Sequence, residues 1–260
     1  AARPSGVKVH AGAVLLENDL VEEDFDDLAA AGCRLVGEIG ISGVKDPEVA
    51  KRMTGWAQDR GMRVMIHTGG ASIPGSGVIG ADFVIEVGAD VAGHVNGGPT
   101  SLPLGDVERI LAETDSMIEV VHNGNIATLG PIAAMVRDGG QLSRLVIGTD
   151  CPAGSGVQPL GILRVIGHVS ALGGVAPEAA VAAATGNGAT LHGLQRGRVA
   201  VGMEADLLVI DSPMGSQAND ALGAFAIGDT PAVAIAMIDG QIKFTKSRNT
   251  PPPTRTITAE

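Results

Sequence analysis

Six metal-capable side chains recur along this chain at almost one interval. His10, Glu38, His67, His94, His122 and Asp150 are separated by 28, 29, 27, 28 and 28 residues. Each closes or directly follows a short apolar run: GVKVH, CRLVGE, MRVMIH, ADVAGH, IEVVH and LVIGTD. A strand, a loop, a helix and a second loop together occupy about that many residues in a βαβ unit. The interval therefore predicts one ligand-type side chain at the C-terminal end of each of six successive parallel strands. In a (β/α) barrel that end is where catalytic side chains gather.

The segments between these runs read as helices. Residues 21–31 open with an acidic turn, which suits a helix N-terminus. In 46–60, Asp46 is a candidate N-cap and Pro47 a first helical residue. Residues 104–113, 126–138, 158–173 and 177–191 complete the alternation, which implies a parallel sheet with helices outside it. The core must be aliphatic, because aromatic residues make up 2% of the chain and Tyr is absent. After about residue 196 the pattern becomes strand-rich, with turns at Val201-Gly202 and Asp239-Gly240, the second a hairpin signal. Residues 248–260 have little to bury and are expected to form an exposed tail.

A net charge of −11 without a basic stripe argues against nucleic acid and anionic membrane as partners. No apolar stretch is long enough to span a bilayer. Cys33 and Cys151 form neither a CxxC pair nor a disulfide framework, which points to a reducing, cytoplasmic setting. The opening AARPSG lacks Met and leads straight into an apolar run, so the chain is expected to start inside a domain.

Hydrolysing an amide in water takes a strong nucleophile and a polarised carbonyl, and a divalent metal supplies both. Imidazole and carboxylate suit zinc or iron. His67 and His94, on neighbouring strands, are the candidate ligands of one ion. Glu38 has two oxygens with which to bridge two ions, and Asp150 is placed to bind the second ion or to move a proton.

These motifs resemble the amidohydrolase superfamily, most closely its enamidase-like branch. The resemblance runs through GVKVHAGAVLLE, VGEIG, HTGGASIPGS, HVNGGPTS, GTDCPAGSG, ATGNGATLHGL and GMEADLLVIDSPMGS. It implies a (β/α)8 barrel with a β-sandwich and a binuclear zinc or iron centre. In that centre Glu38 is the bridge, His67 and His94 are ligands, and Asp150 is the last-strand aspartate. It also implies a metal-dependent hydrolase of a cyclic amide C–N bond. Its substrate would be a small anionic heterocycle, such as a carboxylate-bearing cyclic enamide.

The family's first-strand His-x-His is absent here. Counting back from Asp150 on strand eight gives His122 on seven, His94 on six, His67 on five, Glu38 on four and His10 on three. The expected fold is thus a TIM-type barrel lacking its first two strands over residues 1–195. A β-sandwich part over 196–247 and a tail over 248–260 complete it. Two strand edges would then be unpaired, which predicts a homo-oligomer.

Lys8, His10, His122 and Cys151 are candidate substrate contacts, and the loop glycines Gly69 and Gly70 offer backbone N–H groups for an anion. Competing readings stay open at this level. A strand-end histidine is often structural; Glu38 suits a buried arginine pair, and Asp150 a helix N-cap before Pro152. His168 and His192 read as structural helix residues. The same scaffold serves decarboxylation or deamination, and without His-x-His the chain would be an inactive fragment or binding module. A metal-free barrel with Lys8 as a Schiff-base lysine is a further alternative.

Overall fold

The computed structural model describes residues 7–14, 17–40, 43–71, 74–98, 101–152 and 156–258. Its centre is a five-stranded parallel sheet: β1 Leu35–Ile39, β2 Arg63–His67, β3 Val91–Gly93, β4 Met117–Val121 and β5 Leu145–Gly148, ordered 1-2-3-4-5. The strands are short; β3 is buried throughout, while β1, β2 and β4 mix buried with half-buried or exposed residues. Between them run α2 (Pro47–Asp59), α3 (Ala81–Val87), α4 (Leu104–Glu113) and α5 (Ile126–Asp138). α6 (Gly161–Gly173), α7 (Pro177–Ala184) and α8 (Gly186–Leu191) follow β5, and α1 (Glu22–Ala30) precedes β1. Val36, Ile66, Ala92, Ile118 and Leu145 of the sheet and Met53, Ile110, Ile132 and Val165 of the helices are fully buried in one aliphatic core.

Local chemistry accounts for the helix starts. Asp46 accepts the Glu48 amide at 2.9 Å with Pro47 at the first helical position, and Asn125 accepts the Ala127 amide at 2.9 Å. The helix α3 was not expected from the sequence. It is only seven residues long and hides behind a glycine-rich loop, starting at Gly80 and ending at left-handed Gly88.

The expected sixth strand, GVKVH, forms no strand over its described residues 7–10. Ala13 rather than His10 meets the sheet, in a parallel bridge to Val36: the Ala13 amide donates to Leu35 O at 2.8 Å and the Gly37 amide to Ala13 O at 2.7 Å. This register leaves His10 near the N-terminal end of β1, below the strand end on which Glu38 lies. His10 borders a cavity of about 570 Å³ with Cys33, Arg34 and His192.

A second sheet is antiparallel: β6 Leu207–Asp211, β7 Ala232–Ile238 and β8 Gln241–Phe244, ordered 6-7-8. The Asp239-Gly240 turn behaves as the sequence predicts, with both residues at positive φ (53° and 71°) as a tight hairpin requires. The RGRVAVGM stretch, expected to be extended, pairs with nothing in the sheet. The short helix α9 (Ala221–Ala226) inserts Phe225 into the main core against α6 and α7, so the C-terminal part shares that core.

Residues 251–258 are largely exposed, yet the segment is fastened to the second sheet. Buried Thr250 accepts the Val233 amide at 3.0 Å, and the Met214 amide donates to Pro252 O at 2.8 Å. Buried Asp211 accepts the Arg255 backbone amide at 2.9 Å and its Nε at 3.0 Å, with Nη2 completing the pair. The Arg255 guanidinium holds the Asp211 carboxyl down to about 2, against the opposing effect of burial.

A depressed carboxyl contributes stability above its ordinary range and loses it as the pH falls towards 2. Arg255→Ala is therefore expected to destabilise the fold at neutral pH. Its acid-unfolding midpoint should move to higher pH. Thermal melts followed by circular dichroism between pH 2 and 7 check both shifts.

Candidate metal centre

Parallel register brings three of the six periodic residues face to face. Ile39 of β1 is level with Ile66 of β2, and His67 is level with Gly93 of β3, so Glu38, His67 and His94 arrive at one height. Glu38 Oε2 lies 3.3 Å from His67 Nδ1, and Glu38 Oε1 lies 3.3 Å from His94 Nε2. The two ring nitrogens are 3.1 Å apart, and the rings meet edge to face with centroids 4.7 Å apart. Both histidines are buried, and Glu38 is half-buried.

The far side of His67 determines what its near side offers. His67 Nε2 is 3.3 Å from the carbonyl of Gly70, which can only accept; the tautomer that donates there from Nε2 leaves the Nδ1 lone pair facing Glu38 and His94. One ligand atom each from Glu38, His67 and His94 lies within 4.8 Å of the others. Converging lone pairs repel unless a proton or cation sits among them. A two-histidine, one-carboxylate set, with one imidazole oriented by a backbone carbonyl, fits a divalent metal ion. Burial raises the Glu38 pKa, but the imidazoles of His67 and His94 beside it outweigh this and bring the carboxyl down to about 2. Burial lowers the His94 pKa, and Glu38 more than reverses this.

Asp150 stands two residues beyond β5 at φ 53°, with its Oδ2 receiving Asn123 Nδ2 at 3.2 Å. It is outside the three-residue ligand cluster but close enough for its charge to act on His94. Burial is the largest influence on its carboxyl and the net shift is upward. Among the described residues it caps no helix: α6 begins at Gly161, after Leu160. Nor does Glu38 pair with an arginine among the described residues. His122 directly follows β4; its Nδ1 is buried with no hydrogen-bond partner among the described residues, and its ring lies beside Gly161. Half-buried Cys151 turns its thiol to Thr149 O at 3.3 Å.

Three candidate contacts belong elsewhere. Lys8 Nζ lies 2.6 Å from Glu204, 2.6 Å from Asp239 and 2.9 Å from Asp206, beside the second sheet. Asp239 and the other two carboxylates push its pKa up, the opposite of what a Schiff-base lysine requires. His10 is held below the site by the Ala13 register. Gly69 spends its amide on Ile79 O at 2.9 Å, so that N–H is not free for an anion. Gly70 takes part through its carbonyl, on His67. In the GTDCPAGSG stretch, residues 153–155 lie outside the described residues. A cavity of about 720 Å³ at the opposite ends of the strands, lined by Arg63, Asp90, Ser116 and Asn187, adjoins neither cluster of ligand-type atoms.

Two polar residues of the site escaped the sequence reading. Asn123 orients Asp150, and the only signal for it is its place beside His122. Glu119, in the middle of β4, accepts the His94 backbone amide at 3.0 Å.

Residues 45–243 match the amidohydrolase family. The chain is 48% identical over 254 residues to an enamidase of Eubacterium barkeri, covering 98% of this chain and 66% of that one, just under two thirds of its length. The crystal structure of an enamidase, described as a new member of the amidohydrolase superfamily, superposes with a TM-score of 0.93 at 48% identity over 98% of this chain and 66% of that one. A D-hydantoinase (TM-score 0.61, 12% identity, 96% of this chain and 72% of that one) shows likeness of fold alone. So does a zinc-bound adenosine deaminase from Xanthomonas campestris (0.60, 16%, 94% and 62%).

Elemental analysis of the purified chain is expected to find about one zinc or iron ion per chain, as a three-ligand set of this type holds. Glu38→Ala and His67→Ala are each expected to lose it. Full metal content in both variants would rule this centre out.

Proposed function

This chain belongs to the amidohydrolase family, and from that membership we propose that it hydrolyses a cyclic amide, an enamide- or lactam-like C–N bond, at the Glu38–His67–His94 centre. The meeting of those three side chains at one strand end is the observation that carries the reading. On this reading the five parallel strands are consecutive strands of a (β/α)8 barrel, with the site at its C-terminal face. Glu38, His67 and His94 would hold a zinc or iron ion, and in a complete binuclear centre Glu38 would be shared with a second ion, with Asp150 serving that ion or its water.

A bound divalent ion supplies an acidified water and a polarised carbonyl. The chain's own residues supply orientation and proton movement. Gly70 fixes the His67 tautomer, and Asn123 fixes the Asp150 carboxylate. Asp150, its proton affinity raised by burial, takes a proton from the attacking water as the water oxygen bonds to the amide carbon. The C–N bond then breaks, and Asp150 delivers that proton to the leaving nitrogen, opening the ring to a carboxylate and an amine or enamine. His122, with its unpaired Nδ1, faces substrate on this reading, and Cys151 lines the site. The substrate is a small anionic heterocycle, with the chain working in the reducing cytosol; no helix among the described residues is long and apolar enough to cross a membrane.

Asp150→Asn is expected to cut turnover of a cyclic enamide by about 10²–10⁴-fold, the usual contribution of a general base and acid. The melting temperature should stay near that of the parent. Near-parental turnover overturns the proton-transfer role. Among the described residues β5 pairs on one side only, so a homo-oligomer is expected. Light scattering that finds a monodisperse monomer overturns that part.

A further inference from the structure

His94 holds its ring from a backbone conformation that L-residues rarely adopt, φ 35°. Up to that point β3 is regular: Val91 and Ala92 pair with Met117 and Ile118 of β4. The left-handed turn at His94 takes its amide out of the ladder, and a buried amide needs another acceptor. Glu119, the next residue along β4, provides it twice over. Its Oε2 accepts the His94 amide at 3.0 Å, and its own backbone carbonyl accepts the following amide, Val95, at 2.9 Å. Its other oxygen, Oε1, lies against Gly148 of β5, and a side chain at Gly148 would occupy that oxygen's place. A carboxylate inside the otherwise apolar run MIEVV is costly to bury and has no part in the chemistry described above.

We propose that Glu119 is a positioning residue of the metal centre. Its carboxylate holds the His94 backbone in the left-handed region, and so aims the His94 imidazole at Glu38 and His67. The missing side chain at Gly148 is the space that lets it do so. The inference deepens the metal-centre reading and rests on it. Residues that orient ligands without touching the ion typically change metal affinity about 10–100-fold when removed.

The test titrates the 260-residue chain with Co²⁺ and follows the visible absorption band, which reports ligand geometry as well as affinity. Glu119→Ala is expected to bind about 10–100-fold more weakly with an altered band. Glu119→Gln, whose amide oxygen still accepts the His94 amide, should recover most of the affinity. Gly148→Ala, which keeps Glu119 but displaces it, should weaken binding in the same direction. Ser116→Ala removes a buried hydrogen bond to Ala89 O (2.7 Å) just before β4. It should lower the melting temperature and leave Co²⁺ affinity unchanged, separating aim from general stability. A folded Glu119→Ala chain with parental affinity and spectrum overturns the proposal. If that variant does not fold, parental binding by Gly148→Ala does so instead. A parent chain that binds no Co²⁺ overturns the metal-centre reading itself, an outcome distinct from equal binding by parent and variant.

Discussion

Neighbouring parallel strands hold the site together by holding it level. Hydrogen bonding between β1, β2 and β3 sets Ile39 against Ile66 and His67 against Gly93. A slip of one residue in either pairing would turn the ligand set to the wrong face, because side chains alternate along a strand. The aliphatic core under the sheet thus does more than stabilise. It fixes register, and register carries Glu38, His67 and His94 to within 3.3 Å of one another.

The meeting of Glu38, His67 and His94 was legible in the sequence because each βα unit has nearly the same length, so strand-end residues recur at a nearly constant spacing. The same regularity misled at His10. Its spacing from Glu38 fits the series, but Ala13 makes the sheet contact, and sequence spacing alone cannot show which residue of an apolar run enters the ladder. Local signals read well: the Asp46 cap and the Asp239-Gly240 turn depend on adjacent residues. Distant partnerships did not. Arg255 reaches Asp211 across 44 residues, and Lys8 finds three carboxylates in the C-terminal part. Glu119 was missed because it lies within a strand rather than at its end, where the spacing argument looks.

Two of the four non-glycine residues with positive φ among the described residues, His94 and Asp150, are site residues placed just past strand ends. Such conformations cost free energy and persist where surrounding contacts impose them. Here the contacts are visible: Glu119 beneath His94 and Asn123 beside Asp150. Asn96 adds to this frame, closing both a donor and an acceptor bond onto Val121 (3.1 and 2.8 Å) and so tying the turn after His94 to β4. The site is assembled less by its ligands than by amide and carboxylate groups one layer behind them.

The cluster around Lys8 also has a consequence in time. Its partner Glu204 is 196 residues further along the chain, and Asp239 follows later still. On a ribosome adding about 5–20 residues per second, Lys8 waits roughly 10–40 seconds for its first carboxylate to be made. The sheet and its helices are translated within that interval. The segment holding Lys8 therefore emerges early and closes late, as a clasp fastened after the box has been filled.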